Sequence, residues 1–282
     1  MNQLYKYKLY QLLLFVFVSS LFTLCTKPNT NDDVIKGDPP PVPGGFVNSS
    51  EVGAANLVGY WDFNGNLKDN VSGANAVGTN ISYATGIKGQ AMQGAINGYA
   101  LATPSAAIKN MGTYTVSWWT KSASNKDGVV GMVNFSDAQN FWGNLNTFFE
   151  NNGTEQLMRF KTIFASNGSS FDFGVQEVNG RWDAWNHFVV TYDGIDKFVI
   201  YINGAPVATG TRTGLGPIKF TNFNQIVFGT VHFMTTPSQT SSSGAQSWAS
   251  FLTGQLDEVR IYNKALNATE VSALTVLEKQ GR

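Results

Sequence analysis

Few residues in this chain of 282 could carry out chemistry. Two carboxylates stand side by side near the C-terminus, Asp257 and Glu258 in the run TGQLDEVRIY. His187 and His232 are the only histidines and Cys25 the only cysteine. A retaining glycosidase needs two carboxyl groups about 5 to 5.5 Å apart, and an inverting one a wider pair. Successive residues of a strand point to opposite faces, so the spacing predicts that Asp257 and Glu258 diverge and form no hydrolytic pair. A triad or a histidine-based zinc site would need His187 or His232 beside suitable partners. A carboxylate in an otherwise apolar strand is unfavourable unless it is paired or metal-bound. Asp257 therefore reads either as a ligand of calcium, which takes about six to eight oxygens, or as an acid that pairs with Arg260 or accepts from a turn. Glu258 and Arg260, two residues apart, read as a surface pair.

The aromatics offer a different chemistry. The chain has seven tryptophans, and an exposed indole can stack on the C–H face of a pyranose. Trp61, Trp118 and Trp185 lie in strand-like patterns and are expected in the core. Trp119 must point away from the side that Trp118 occupies. Trp142, in DAQNFWGNLN, and Trp248, beside a serine-rich run, sit in polar surroundings. Trp142, Trp248 and Trp119 are the candidate ligand platform, and packing under loops is the competing reading of the first two.

The elements that would position these residues are short and alternating. YTVSWWTK (114–121), HFVVTYDG (187–194), KFVIYING (197–204), QIVFGTVHF (225–233) and TGQLDEVRIY (253–262) read as strands, the second and third as a hairpin. With 29 glycines, 13% aromatic and only 13% charged residues, the composition suits an all-β sandwich. One helix is expected after Asn267, which with Glu270 forms a capping-box pattern, while Val271, Leu274 and Leu277 share a face. TTPSQTSSSGAQS (235–247) reads as a polar loop.

Formal net charge is zero, which gives no electrostatic reason to expect nucleic acid as a partner. Residues 1–25 carry Lys6 and Lys8, then an apolar run, and have the anatomy of a signal peptide. Its loss would leave 17 basic against 19 acidic residues, a mature chain two units negative. Cys25, just after the apolar run, resembles the acylated cysteine of bacterial lipoproteins, which predicts attachment to the outer membrane or cell surface by a lipid alone. Residues 26–50, rich in Pro, Gly and Asp, read as a flexible tether before a domain spanning 51–282.

LVGYWDFNGNLKDNVSG (57–73), YTVSWWTK, WDAWNHFVVTYDG with VIYINGAPV, and TGQLDEVRIYNKALNATEV occur in an order that resembles the laminin G-like jelly rolls of the concanavalin A-like group. The resemblance implies two antiparallel sheets face to face, adjacent first and last strands, a short C-terminal helix, and binding of glycan, surface polysaccharide, or host or matrix protein. It implies binding rather than catalysis, since the E-x-D-x-x-E strand of laminarinase-like enzymes is absent, with a glycoside hydrolase or lyase of the same fold as the alternative, and it gives His187 a structural role. It also implies a structural calcium ion at Asp257, with Asp62 and Gly98 as partners.

Overall fold

The computed structural model describes residues 41–125, 128–151 and 157–282. The signal segment, Cys25 and the tether up to residue 40 lie outside them. A compact unit begins at Val42 rather than at residue 51. Its first turns pack Val42, Phe46 and Val52 against the C-terminal helix and the strands beneath it.

Seventeen strands are found among the described residues. The first five are β1 (Leu57–Trp61), β2 (Val77–Thr79), β3 (Ser82–Thr85), β4 (Gln90–Gln93) and β5 (Tyr99–Ala102). After a single helical turn, α1 (Ala106–Lys109), come β6 (Tyr114–Lys121), β7 (Val129–Gly131), β8 (Val133–Phe135) and β9 (Leu145–Phe149). β10 (Leu157–Ser166) and β11 (Ser169–Asn179) form a long hairpin, and β12 (Asn186–Tyr192) and β13 (Lys197–Ile202) form the predicted one. β14 (Ala205–Thr211), β15 (Ile226–Phe228), β16 (Ala249–Ser250), β17 (Gln255–Tyr262) and helix α2 (Ala268–Lys279) complete the chain.

The strands form two sheets. One runs β14-β13-β12-β6-β17-β4-β3, with β1 also on β17, so the first and last strands are neighbours as expected. The other runs β11-β10-β9-β8-β15-β5-β2 and adds β7 and β16. Alternation explains why they stack. On β6, Tyr114, Val116 and Trp118 enter the core between the sheets, while Thr115, Ser117 and Trp119 face the other way. The fold is thus the expected all-β jelly-roll sandwich.

Both outer faces are covered as well. Val189, Tyr201 and Tyr262 of the first sheet pack against Val271, Leu274 and Leu277 of α2. Asn267 accepts from the Glu270 N–H and Glu270 accepts from the Asn267 N–H, completing the predicted capping box. On the second sheet, Tyr99, Phe148 and Ile163 pack against Val231, Phe233 and Phe251. That cover arises where the sequence reading fails. The run 225–233 leaves the sheet after Phe228, because Gly229 turns the chain at φ 86° and His232–Met234 form a 3-10 turn. Trp185, expected in the core, is only partly buried just ahead of β12.

Candidate functional site

The 137–143 turn and the 235–248 loop meet above the second sheet and bring Trp142 and Trp248 together, their ring centres 6.3 Å apart. Phe141 lies 6.1 Å from Trp248, and Phe233 lies 5.5 Å from it. Trp142 stacks flat on Phe148 of β9 at 5.6 Å, and Phe141 stacks on Phe233 at 4.7 Å. The upper member of the cluster is Trp248, 42% exposed. Rings packed around it restrict its position, so the exposed part of the residue meets solvent at little cost in side-chain entropy.

Polar chemistry holds this platform rigid. Buried Asp137 accepts from the Gln139 and Asn140 N–H groups and from the side chains of Asn140, Thr221 and Asn222. Burial opposes ionisation of Asp137, but those donors hold its carboxyl below the usual range. The serine-rich loop is tied to this turn, since the Thr240 hydroxyl donates to Asn140 O and the Ser241 N–H to Ala138 O. Gly128 is required beside it, because a β-carbon there would lie 2.1 Å from the Trp248 carbonyl oxygen.

The acidic pair lies elsewhere, on the outer face of the first sheet, and it departs from the expected alternation. β17 faces β4 through Gln255 and Leu256, then β1 through Val259 to Tyr262. At that changeover it carries a bulge between Asp257 and Arg260, with Glu258 at φ 48°. Leu256, Val259 and Ile261 still enter the core. Asp257 pairs across the sheet with Trp119, and Arg260 with Ser117, so both belong to the outer face. The extra residue places Glu258 there too, with Oε2 2.8 Å from the Arg260 guanidinium. The two acids therefore share a side. They are also fully buried, and Glu258 with Arg260 is a sealed pair rather than a surface pair.

Around them lies a continuous polar layer. Arg260 Nε donates to Glu278 of α2 at 2.6 Å, Trp119 Nε1 donates to the same carboxylate at 2.7 Å, and Tyr60 OH donates to Glu258 at 2.8 Å. The Arg260 guanidinium also lies 4.0 Å above the Tyr60 ring. Burial pushes the Glu278 carboxyl up, and Arg260 and the Trp119 N–H pull against it. His187 stacks on Trp119 at 4.8 Å, with Nε2 2.7 Å from Ser117 Oγ and Nδ1 2.6 Å from Thr275 Oγ1. The single Thr275 hydroxyl proton goes to Val271 O, so Thr275 accepts from Nδ1–H and Nε2 accepts from Ser117. Burial, and then the charge of Arg260, lowers the His187 pKa to about 3 and keeps the ring neutral. Ser117, His187 and Glu278 look like parts of a triad, but all three are fully buried and Nδ1 is held by a threonine rather than a carboxylate.

Each residue named for calcium already takes part in a hydrogen bond. Asp257 Oδ2 accepts from the Ile87 and Lys88 N–H groups, and Oδ1 accepts from the Glu258 N–H. Gly86 lets that loop close on it, since a β-carbon there would be 2.3 Å from Oδ2. Burial, reinforced by Glu258, raises the Asp257 pKa to about 8. Asp62 accepts from the Asn64 N–H, and the Gly98 N–H donates to Ala95 O. Among the described residues no three His, Cys, Asp or Glu side chains group to hold a metal ion. A carboxylate already facing three N–H donors does not suit a cation, so the donor set at Asp257 does not fit calcium. Trp119, the third platform candidate, is buried under α2, on the opposite sheet from Trp142 and Trp248.

Sequence reasoning missed Phe141, Phe233 and Glu278. Phe141 adjoins Trp142, and Phe233 was read as a strand residue. Glu278 did leave a signal, because it continues the apolar stripe of Val271 and Leu274 at i+7.

A two-sheet sandwich with both outer faces covered and aromatic loops above one sheet defines a class, and the chain belongs to it: the family model of the concanavalin A-like lectin/glucanase superfamily matches residues 93–272. Among solved structures it is similar to the binding domain of Paraclostridial Mosquitocidal Protein 1, with a TM-score of 0.59 and 18% identity over 79% of this chain. It spans about half of that chain, 52%. It is also similar to domain 4 of AbnA, an extracellular GH43 arabinanase of Geobacillus stearothermophilus in complex with arabinotriose, with a TM-score of 0.53 and 20% identity, covering 78% of this chain and 98% of that one. A sialidase of Trypanosoma rangeli shares the fold at a TM-score of 0.56 and 16% identity, over 79% of this chain and 32% of the enzyme. No curated protein sequence matches significantly.

Proposed function

We propose that this protein is a non-catalytic carbohydrate-binding module whose ligand stacks on Trp248. The observation that carries the reading is the exposed indole of Trp248, seated on Trp142, Phe141 and Phe233 in a loop cluster fixed by Asp137. Buried aromatics need no such display, whereas a sugar ring needs a rigid, flat apolar surface bordered by hydroxyl and amide groups. Ser247 is exposed and Gln246 partly so at this border. The AbnA domain, seen with arabinotriose and matched over nearly its whole length, supports a sugar as the ligand class. The non-catalytic part of the reading is supported by the burial of Asp257, Glu258 and Glu278, whose carboxylates already serve main-chain and side-chain donors. Export and a lipid anchor at Cys25 belong to the same proposal, which places the module at a bacterial surface.

The test is a glycan and polysaccharide array, including arabino-oligosaccharides, probed with the full chain. At least one saccharide should bind and change the tryptophan fluorescence. Trp248→Ala should abolish that binding while the protein stays folded, as cooperative thermal unfolding would show. Silence across the array, or binding that survives Trp248→Ala, overturns the proposal.

A further inference from the structure

A cavity of about 360 Å³ opens on the other side of the molecule beside α2. Five segments converge on it. Trp119 of β6 forms the inner wall, Ile87 comes from the β3–β4 loop, Arg181 and Trp185 from the β11–β12 loop, Asn203 from the β13–β14 turn, and Val276 and Lys279 from α2. Several of these are fixed in place. Trp119 is held by its hydrogen bond to Glu278 and its stack on His187. Asn203 accepts from the His187 N–H and donates to Asn186 Oδ1, which pins the hairpin turn to β12. Val276 and Lys279, three residues apart, lie on one face of the helix.

The charges at the rim are unspent. Arg159, Lys161, Arg260 and Lys264 all have acidic partners. Among the described residues, no carboxylate lies within ion-pair distance of Arg181 or Lys279, and both are exposed. Of the neighbouring acids, Glu278 is turned into the sheet and bound to Arg260 and Trp119, and among the described residues no ion pair joins exposed Asp183 to either cation. The result is a cleft with a partly exposed indole, an aliphatic floor and two free cations.

We infer that this cavity, separate from the Trp248 platform, binds a single sugar ring carrying a carboxylate, a uronic acid. The indole of Trp185 takes the ring's C–H face, and Arg181 and Lys279 take the carboxylate by charge-assisted hydrogen bonds. The volume lies at the small end of ligand pockets, about 300 to 1,000 Å³, and suits one residue of an acidic polysaccharide rather than a length of chain. Two cations with no carboxylate of the described residues within ion-pair distance favour an acidic sugar over a neutral one.

Calorimetric titration of the full chain with sodium glucuronate, glucose and sodium acetate at constant ionic strength tests this. Glucuronate should saturate one site at least tenfold more tightly than glucose or acetate. Arg181→Gln and Lys279→Gln should each weaken it about tenfold without changing the melting temperature, since each removes one charge-assisted contact from an exposed position. Trp248→Ala should bind glucuronate as the parent does, which keeps the result independent of the first site. Equal affinity for glucose, equal affinity for acetate, absence of saturation, or binding unchanged in both charge variants overturns the inference. Loss of glucuronate binding in Trp248→Ala would assign the sugar to the platform and overturn it as well.

Discussion

Replacing Arg260 with Met tests the account of the buried polar layer. In the parent protein this guanidinium lies between two carboxylates, Glu278 at 2.6 Å and Glu258 at 2.8 Å, with Ser49 Oγ at 3.3 Å and the Tyr60 ring beneath. Met preserves much of the volume and none of the charge. Glu258 and Glu278 would then remain fully buried without a counter-charge. Removing one partner of a buried ion pair costs about 3 to 5 kcal/mol. At about 2 to 4 °C per kcal/mol for a domain of this size, the melting temperature should fall by roughly 6 to 20 °C near neutral pH. The deficit should also depend on pH. Without Arg260 nothing offsets the burial that pushes the Glu278 carboxyl up, so it holds its proton more tightly in the folded state than in the unfolded chain, where a glutamate titrates near 4.3. An acid with a raised folded-state pKa contributes stability that is complete below the unfolded value and is lost as pH rises through the folded one. The variant should therefore approach the parent at about pH 5 and fall furthest behind at about pH 8. Adding Glu258→Gln and Glu278→Gln should recover most of the loss at the higher pH. Thermal unfolding followed by tryptophan fluorescence measures all of this. A fall under about 2 °C, or the same deficit at both pH values, would refute the claim that these charges are desolvated and mutually dependent.

Asp257→Asn leaves one amide nitrogen facing N–H donors and should lower the melting temperature equally in calcium and in EDTA; protection by calcium in the parent alone would restore the metal reading. The same variant should flatten the parent's pH profile, because the Asp257 pKa, raised to about 8, makes the folded state gain stability as pH falls from about 8 toward 4. Ser117→Ala removes the donor to His187 Nε2 and should cost about 1 to 3 kcal/mol in urea unfolding, with no enzymatic readout attached to it. Asn267→Ala should cost about 1 kcal/mol by removing the cap of α2, measurable as a shift of about 2 to 4 °C.

The frame of the molecule was legible because it obeys a period of two. Tyr114, Val116 and Trp118 alternate cleanly and occupy the core as read, and the hairpin of β12 and β13 forms where Asp193-Gly194 supplies the turn. Trp142 and Trp248 could be singled out because each interrupts a polar loop. Their meeting could not be foreseen, since it depends on Gly229 turning the chain out of the sheet and on Thr240 and Ser241 tying their loop to the Asn140 turn, 100 residues earlier in the Thr240 contact. The acidic pair was misread for a similar reason. Alternation holds only while the ladder is regular, and β17 exchanges one neighbour for another in mid-strand. The exchange requires an extra residue, so Glu258 turns to the same side as Asp257. Nothing local in LDEVR announces a bulge, because its cause is the arrival of β1 and β4 from distant sequence.

These observations explain why ligand sites should lie at the edges of the covers rather than on an open sheet. A sandwich of two antiparallel sheets ordinarily leaves each outer face to solvent. Here α2 covers part of one face and the 229–251 segment covers part of the other. A tryptophan that packing does not fully enclose stands beside each cover: Trp248 at the margin of the loop cover, and Trp185 of the β11–β12 loop beside α2. The buried layer beneath α2 then has a positional role. Glu278, fixed by Arg260 and Trp119, sets the height and rotation of the last helical turn, and with them the distance from Lys279 to Trp185 across the cleft. On this view Glu278→Gln should perturb the helix-side cavity while leaving the Trp248 platform intact, because the main core separates the two.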